Sequence, residues 1–189
     1  MKLLKKIFEI AKSKLWMKGL INGIPATVEF QNLLKDISVP ETVIDIGSNR
    51  GQFILFIEKI FYNKRIYSFE PIAELVKKQK YFFSFKKNIT FFNVALGSSS
   101  TYDEFLITNR TDSSSFLEIE SKNNNSGYYK INERRRIKIN TLDNVLGDKK
   151  IKTPLLIKID VQGFELEVLK GSKKILKKNK LPAIRSFKK

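Results

Sequence analysis

The chain opens with a helical period. Residues 1–20 place Leu3, Leu4, Ile7, Phe8, Ala11 and Leu15 on one stripe and Lys2, Lys5, Lys6 and Lys12 on the other face. Thr27 to Lys35 predicts a second short helix, and Pro40 closes the region. From Thr42 the rhythm becomes strand, helix, strand, helix. Val43 to Ile46 is a β-branched run closed by Gly47, and Phe53 to Phe61 is apolar almost all round, as a helix buried on two sides should be. Ile66 to Phe69 reads as the next strand. Pro71 suits the first turn of the following helix, whose Leu75, Val76, Phe82 and Phe83 share a face. Ile89 to Leu96 reads as a third strand, stopped by Gly97 and three serines. Strand–helix units of this length predict a parallel sheet with helices on both faces.

Residues 98–133 break that rhythm. Phe105 to Ile107 predicts one strand of an excursion, and Lys122 to Gly127, with three consecutive asparagines, a polar loop. Regularity returns with Ile137 to Asn140, a short helix at Leu142 to Leu146 and a strongly apolar strand at Leu155 to Ile159. Gly163 to Asn179 predicts a helix interrupted near Gly171, and Leu181 to Ile184 a fifth parallel strand. No repeat is visible. The reading is one doubly wound α/β domain over residues 42–189, preceded by a basic helical cap over 1–41.

Composition narrows the chemistry. The 189 residues suit a single domain, and 42% hydrophobic with 29% charged residues suits a globular chain. With neither cysteine nor histidine, thiolate nucleophiles and imidazole bases are excluded, leaving carboxylates, Lys or Tyr for proton transfer. The formal net charge of +17 favours an anionic neighbour. Residues 1–20 carry six lysines and one glutamate, residues 170–189 nine basic side chains and no acid, and Arg134 to Arg136 form a third cluster. A basic amphipathic helix suits peripheral contact with an anionic membrane; the plainer reading is a solubilising face. No run of 18 apolar residues and no secretory leader is visible, so the expectation is a cytoplasmic protein, with the membrane periphery left open.

The sharpest local signal is Asp45-Ile46-Gly47-Ser48-Asn49-Arg50-Gly51, set between a strand and a helix. Its spacing is G-x-x-x-G, not the G-x-G-x-x-G that cradles a pyrophosphate, and Asn49 fills the place of the middle glycine. A tight turn with Asp45 at its base suits a ligand without phosphates, a cationic one included. Glu70 ends the second strand 23 residues beyond Gly47, where its two oxygens can accept both hydroxyls of a ribose. Asn93, in the third strand, is placed to meet an adenine edge across the same crevice. Read singly, the glycines only permit a turn and Glu70 is a solvated strand end; together they favour a ligand.

Val43 to Gly51, Phe69-Glu70-Pro71, Asn93 to Gly97, Thr141-Leu142-Asp143 and Ile157 to Glu165 occur in the order seen in FkbM-type methyltransferases, which the chain resembles from residue 42 to about 180. The resemblance implies a Rossmann-like fold and S-adenosylmethionine as cofactor. By similarity Asp45, Gly47, Asn49 and Gly51 form the first cofactor loop, Glu70 binds the ribose, and Asn93 with Ala95 borders the adenine. Such enzymes usually finish their sheet with a fifth strand and an antiparallel hairpin. The resemblance therefore implies a domain shortened at the C-terminus, with an open sheet edge that suits a homo-oligomer.

Asp160 follows the Leu155–Ile159 strand directly, at the ligand-bearing edge. Methylating a hydroxyl needs its oxygen aligned with the methyl carbon and its proton removed, and a positioned base contributes about 10²–10⁴-fold. Asp160 is the candidate base; positioning the acceptor, or holding a divalent metal beside another carboxylate, are alternatives, and no metal site is expected. Glu165 is a weaker acceptor candidate that reads as well as a carboxylate at the start of a helix. Lys158 is placed to pair with either acid. Thr111 to Phe116, through Ser113, Ser114 and Ser115, is a weak candidate acceptor loop, and Asp143 reads as a helix cap.

These features predict an S-adenosylmethionine-dependent O-methyltransferase acting on a sugar hydroxyl of a glycan or secondary metabolite. The alternative is an inactive remnant, or a basic module for nucleic acid or anionic membrane, that retains the fold. Nucleic acid is the less favoured partner: base-methylating enzymes usually carry an Asn- or Asp-Pro-Pro-aromatic turn where this chain has Asp160-Val161-Gln162-Gly163.

Overall fold

The computed structural model describes residues 2–31, 34, 37–108, 116, 131–179 and 185–186, with the backbone alone at 2–6 and 185–186. The N-terminal stripe is two helices rather than one, α1 (Lys2–Ala11) and α2 (Lys14–Ile21). Ser13 separates them: it is extended, and its hydroxyl accepts the Trp16 N–H, which caps the second helix. Where a further helix was expected over 27–35, the described residues form a single 3₁₀ turn, Val28–Gln31.

Five parallel strands follow the predicted rhythm: β1 (Thr42–Ile46), β2 (Arg65–Phe69), β3 (Ile89–Phe92), then, later in the chain, β7 (Leu155–Ile159) and β8 (Arg185–Ser186). Between them run α3 (Gln52–Ile60) and α4 (Ala73–Phe82). The sheet order is β3-β2-β1-β7-β8, so β1 lies in the middle and every one of its residues is buried, as its unbroken apolar run foretells. The order reverses between β1 and β7, which opens a crevice at their carboxyl ends. Register brings the pieces level: Ile46 pairs with Phe69 on one side and Ile159 on the other. The residues that follow, Gly47, Glu70 and Asp160, therefore leave the sheet side by side.

The apolar run 89–96 is two strands, not one. After β3 the chain bends at Asn93, whose amide donates to the Glu70 and Pro71 carbonyls at 3.0 and 2.8 Å. Its continuation, β4 (Ala95–Leu96), joins a second sheet of order β4-β6-β5 with β5 (Thr101–Thr108) and β6 (Ile131–Asn140). These two arms are longer than their apolar segments: the first half of each strand is exposed, and the antiparallel register sets it against the more buried half of its partner. The arginine cluster on β6 is largely neutralised. Arg134 pairs with Glu104 at 2.5 Å, and Arg135 with Glu74 and Glu133 at 2.8 and 2.7 Å. Those two carboxylates hold Arg135 above its ordinary pKa and are themselves lowered by it.

Beyond α5 (Leu142–Leu146), capped by the Thr141 hydroxyl, the expected helix break is present: α6 (Glu165–Lys170) and α7 (Lys173–Lys178) part at Gly171 and Ser172. Asp143 is a cap, but of α7, accepting the Lys174 and Ile175 N–H groups at 2.8 and 2.9 Å. The fifth strand pairs with β7 at residues 185–186, later than expected; 181–184 lie outside the described residues. This is a Rossmann-like α/β architecture whose N-terminal cap shares a core with the sheet. Trp16 stacks on Phe56 and donates its indole N–H to the Leu55 carbonyl at 3.2 Å.

Candidate active site

The turn after β1 is built from left-handed residues, with φ +74° at Gly47, +50° at Asn49 and +89° at Gly51. Glycine takes such angles freely and asparagine tolerates them, so the sequence dictates the bend. Several contacts then pin it. The Gly47 and Ser48 N–H groups both donate to the Phe69 carbonyl at 3.0 and 3.1 Å, and the Asn49 N–H donates to Glu70 Oε2 at 2.8 Å. From below, the Gln79 amide donates to Ser48 Oγ at 2.9 Å and to the Asn49 carbonyl at 2.5 Å, while its own oxygen accepts from Ser68. This buried Ser48–Ser68–Gln79 network was not anticipated. Its only trace in the sequence is a glutamine on the apolar face of α4.

Glu70 performs two tasks at once. Its Oε1 accepts the Ile72 N–H at 2.9 Å, so each oxygen already holds one backbone donor, yet each carboxylate oxygen has capacity for a second. Burial pushes its pKa from 4.5 to about 7, against the pull of the Ile72 and Asn49 N–H groups and of Lys158. The turn after β7 is braced differently. Glu165 Oε1 accepts the Val161 and Gly163 N–H groups at 3.4 and 3.2 Å, so its carboxylate is occupied by its own turn. Asp160 Oδ1 accepts from the Gln162 amide at 3.1 Å, and the Asp160 side chain remains 22% exposed.

Lys158 stands between the two turns. Register sets it opposite Asp45, and its ammonium donates to the Gly47 carbonyl at 2.8 Å, with Asp45 Oδ1 at 3.1 Å and Asp160 Oδ2 at 3.8 Å. Its partner acids are therefore Asp45 first and Asp160 second, not Glu165. Asp45 is fully buried and gains no well-directed hydrogen bond. Burial raises its pKa, while the Lys158 charge pulls the other way.

A cavity of about 360 Å³ opens over these turns, within the range of small-molecule sites. Gly47, Asn49, Glu70, Ala95 and Asp160 line it, which brings five of the expected residues together. Asp45, Gly51, Asn93 and Glu165 stand outside its wall: Asp45 beneath Lys158, Asn93 bracing the Glu70–Pro71 carbonyls, and Gly51 where a Cβ would come 2.9 Å from Phe83. Ser113, Ser114 and Ser115 lie outside the described residues, although the neighbouring Phe116 lines the cavity and packs on Phe105 and Phe164.

The cap supplies a wall that the sequence did not reveal: Thr27, Glu29 and Phe30 also face the cavity, and no local signal marks them. Among the described lining residues, ionisable groups are three carboxyls, Glu29, Glu70 and Asp160, and one ammonium, Lys158. In a chain of net charge +17 this is an acid-rich pocket. It fits a ligand that carries positive charge and hydroxyl donors. S-Adenosylmethionine, with a sulfonium, an ammonium and a ribose, has that chemistry.

Residues 45–185 match the methyltransferase FkbM domain family, and the chain belongs to that family of S-adenosylmethionine-dependent methyltransferases. No curated protein matches the chain. Among solved structures, the plantazolicin methyltransferase BamL, crystallised with a triazolic desmethylPZN analog and SAH, aligns at 18% identity and a TM-score of 0.26. The alignment covers 48% of this chain and 32% of that one, too slight a likeness to bear on mechanism.

Proposed function

We propose that the protein transfers the methyl group of S-adenosylmethionine to a hydroxyl of a sugar, with Asp160 as the base. The supporting observation is the acid-rich cavity in which Gly47, Glu70 and Asp160 leave adjacent strands at one level. Glu70 would accept the ribose hydroxyls on its remaining lone pairs, and the Gly47–Asn49 turn and Ala95 would border the rest of the cofactor. The cofactor supplies a methyl group bonded to positively charged sulfur, which departs as a neutral thioether. Asp160 accepts the proton of the attacking hydroxyl and later releases it to water through its exposed side. Lys158, between Asp45 and Asp160, keeps the Asp160 carboxylate beside the cofactor turn and holds the Gly47 carbonyl in place. Phe105, Phe116 and Phe164 give the cavity an apolar wall suited to the carbon face of a sugar ring.

Labelled methyl transfer from S-adenosylmethionine to a glycan extract tests this reading. Asp160→Asn should lower kcat by about 10²–10⁴-fold while leaving cofactor affinity within a few-fold. Wild-type turnover in that variant would remove Asp160 as the base, and labelled product confined to amines or peptides would remove the sugar acceptor.

A further inference from the structure

Three segments on the outside of the helical layer form one basic, apolar-tipped surface. The segments are the end of α2, the end of α3 with the residues that follow it, and the last turns of α4 with the residues up to 88. There Tyr62 is 75%, Tyr81 80% and Phe85 54% exposed, joined by Ile21 at 79% and Leu20 at 41% from the end of α2. Contacts show that the segments adjoin: the Lys18 ammonium of α2 lies 5.1 Å from the Phe85 ring centroid, and Lys86 lies 4.7 Å from that of Tyr62 and 5.9 Å from that of Phe85.

The charge around these side chains has one sign. Segments 14–21, 59–65 and 77–88 contain ten lysines and arginines and no acidic residue. Among the described residues two of the ten are answered from neighbouring elements, Lys64 by Glu41 and Lys86 by the buried Glu58. Lys14, Lys18, Lys59, Lys77, Lys80 and Lys87 are exposed. Exposed large apolar side chains grouped in this way signal a binding surface rather than ordinary scatter.

We propose that this surface docks on an anionic lipid bilayer, with Ile21, Leu20, Tyr81, Phe85 and Tyr62 entering the headgroup region. Aliphatic tips with tyrosines at headgroup depth and a surrounding ring of lysines match a negatively charged interface on both counts, area and charge. The contact differs from the one that the first helix alone would make, because it uses α2 and the ends of α3 and α4.

Co-sedimentation of the full chain with phosphatidylglycerol–phosphatidylcholine vesicles, pure phosphatidylcholine vesicles and a single-stranded RNA oligomer tests the proposal. Binding should be strong to the anionic vesicles, at least about tenfold weaker to the neutral ones, and should fall as salt rises. Ile21→Ser with Tyr81→Ser should weaken it about tenfold or more, since both side chains are nearly free of protein contact and their apolar area is what enters the lipid. Lys77→Glu with Lys80→Glu should do the same without altering the thermal midpoint. Equal binding to both vesicle types, no vesicle binding, or RNA binding that is tighter and lost in the same variants would overturn it.

Discussion

At Gly47 a side chain would be strained twice over: φ is +74°, and a Cβ would overlap the Asp160 carbonyl oxygen. Left-handed backbone alone costs a non-glycine residue about 1–2 kcal/mol. Gly47→Ala should therefore push the turns after β1 and β7 apart and abolish cofactor binding in calorimetry, with a lower thermal midpoint. Glu70 carries a pH signature. Its carboxyl titrates near 7 in the folded chain rather than at 4.5, so folding favours its protonated form. That contribution is complete below pH 4.5 and is lost as pH rises to about 7, a decline of about 3 kcal/mol. Urea titrations from pH 4.5 to 8 should show the wild type losing stability relative to Glu70→Gln across that window; parallel profiles would mean that Glu70 is ionised throughout. On the proposed reading, the ribose hydroxyls would donate to the ionised form, so cofactor affinity should rise with pH through about 7.

Among the elements, the cap is part of the site rather than an appendage. Trp16 is 3% exposed and joins the cap to α3 by a stack and a hydrogen bond, so Trp16→Ala should cost about 3–5 kcal/mol. Phe30 faces the cavity and packs edge-on against Phe53 at 5.4 Å. Phe30→Ala should raise KM more than it lowers kcat, which steady-state kinetics would separate. Where the two sheets meet, a Cβ on Gly171 would strike the Gly97 carbonyl. That close approach lies at the interruption expected near Gly171 within the helix over 163–179. The break at Gly171 was legible as a glycine in a helical pattern; its cause, a carbonyl from a distant turn, was not.

For the molecule as a whole, charge is partitioned: a chain of net +17 keeps an acid-rich cavity at the carboxyl edge of its sheet and a lysine-rich, aromatic surface along α2, α4 and the end of α3. The two should respond independently. S-Adenosylmethionine at about one hundred times its Kd should add about 2.7 kcal/mol and raise the thermal midpoint by roughly 5–10 °C. Glu70→Ala should erase that shift, and Ile21→Ser with Tyr81→Ser should leave it intact.

The order of strands and helices, and the ends where Gly47, Glu70 and Asp160 sit, were written in the sequence, because buried parallel strands appear as short apolar runs and their turns need particular residues. Neighbourhood across the chain was decided only by the tertiary structure. Register set Lys158 against Asp45, packing of the cap brought Phe30 and Glu29 to a cavity built mainly from residues 46–164, and the bend at Asn93 sent β4 into a second sheet. Contacts between distant segments follow from which apolar faces meet and at what offset, and a local pattern of side chains carries neither.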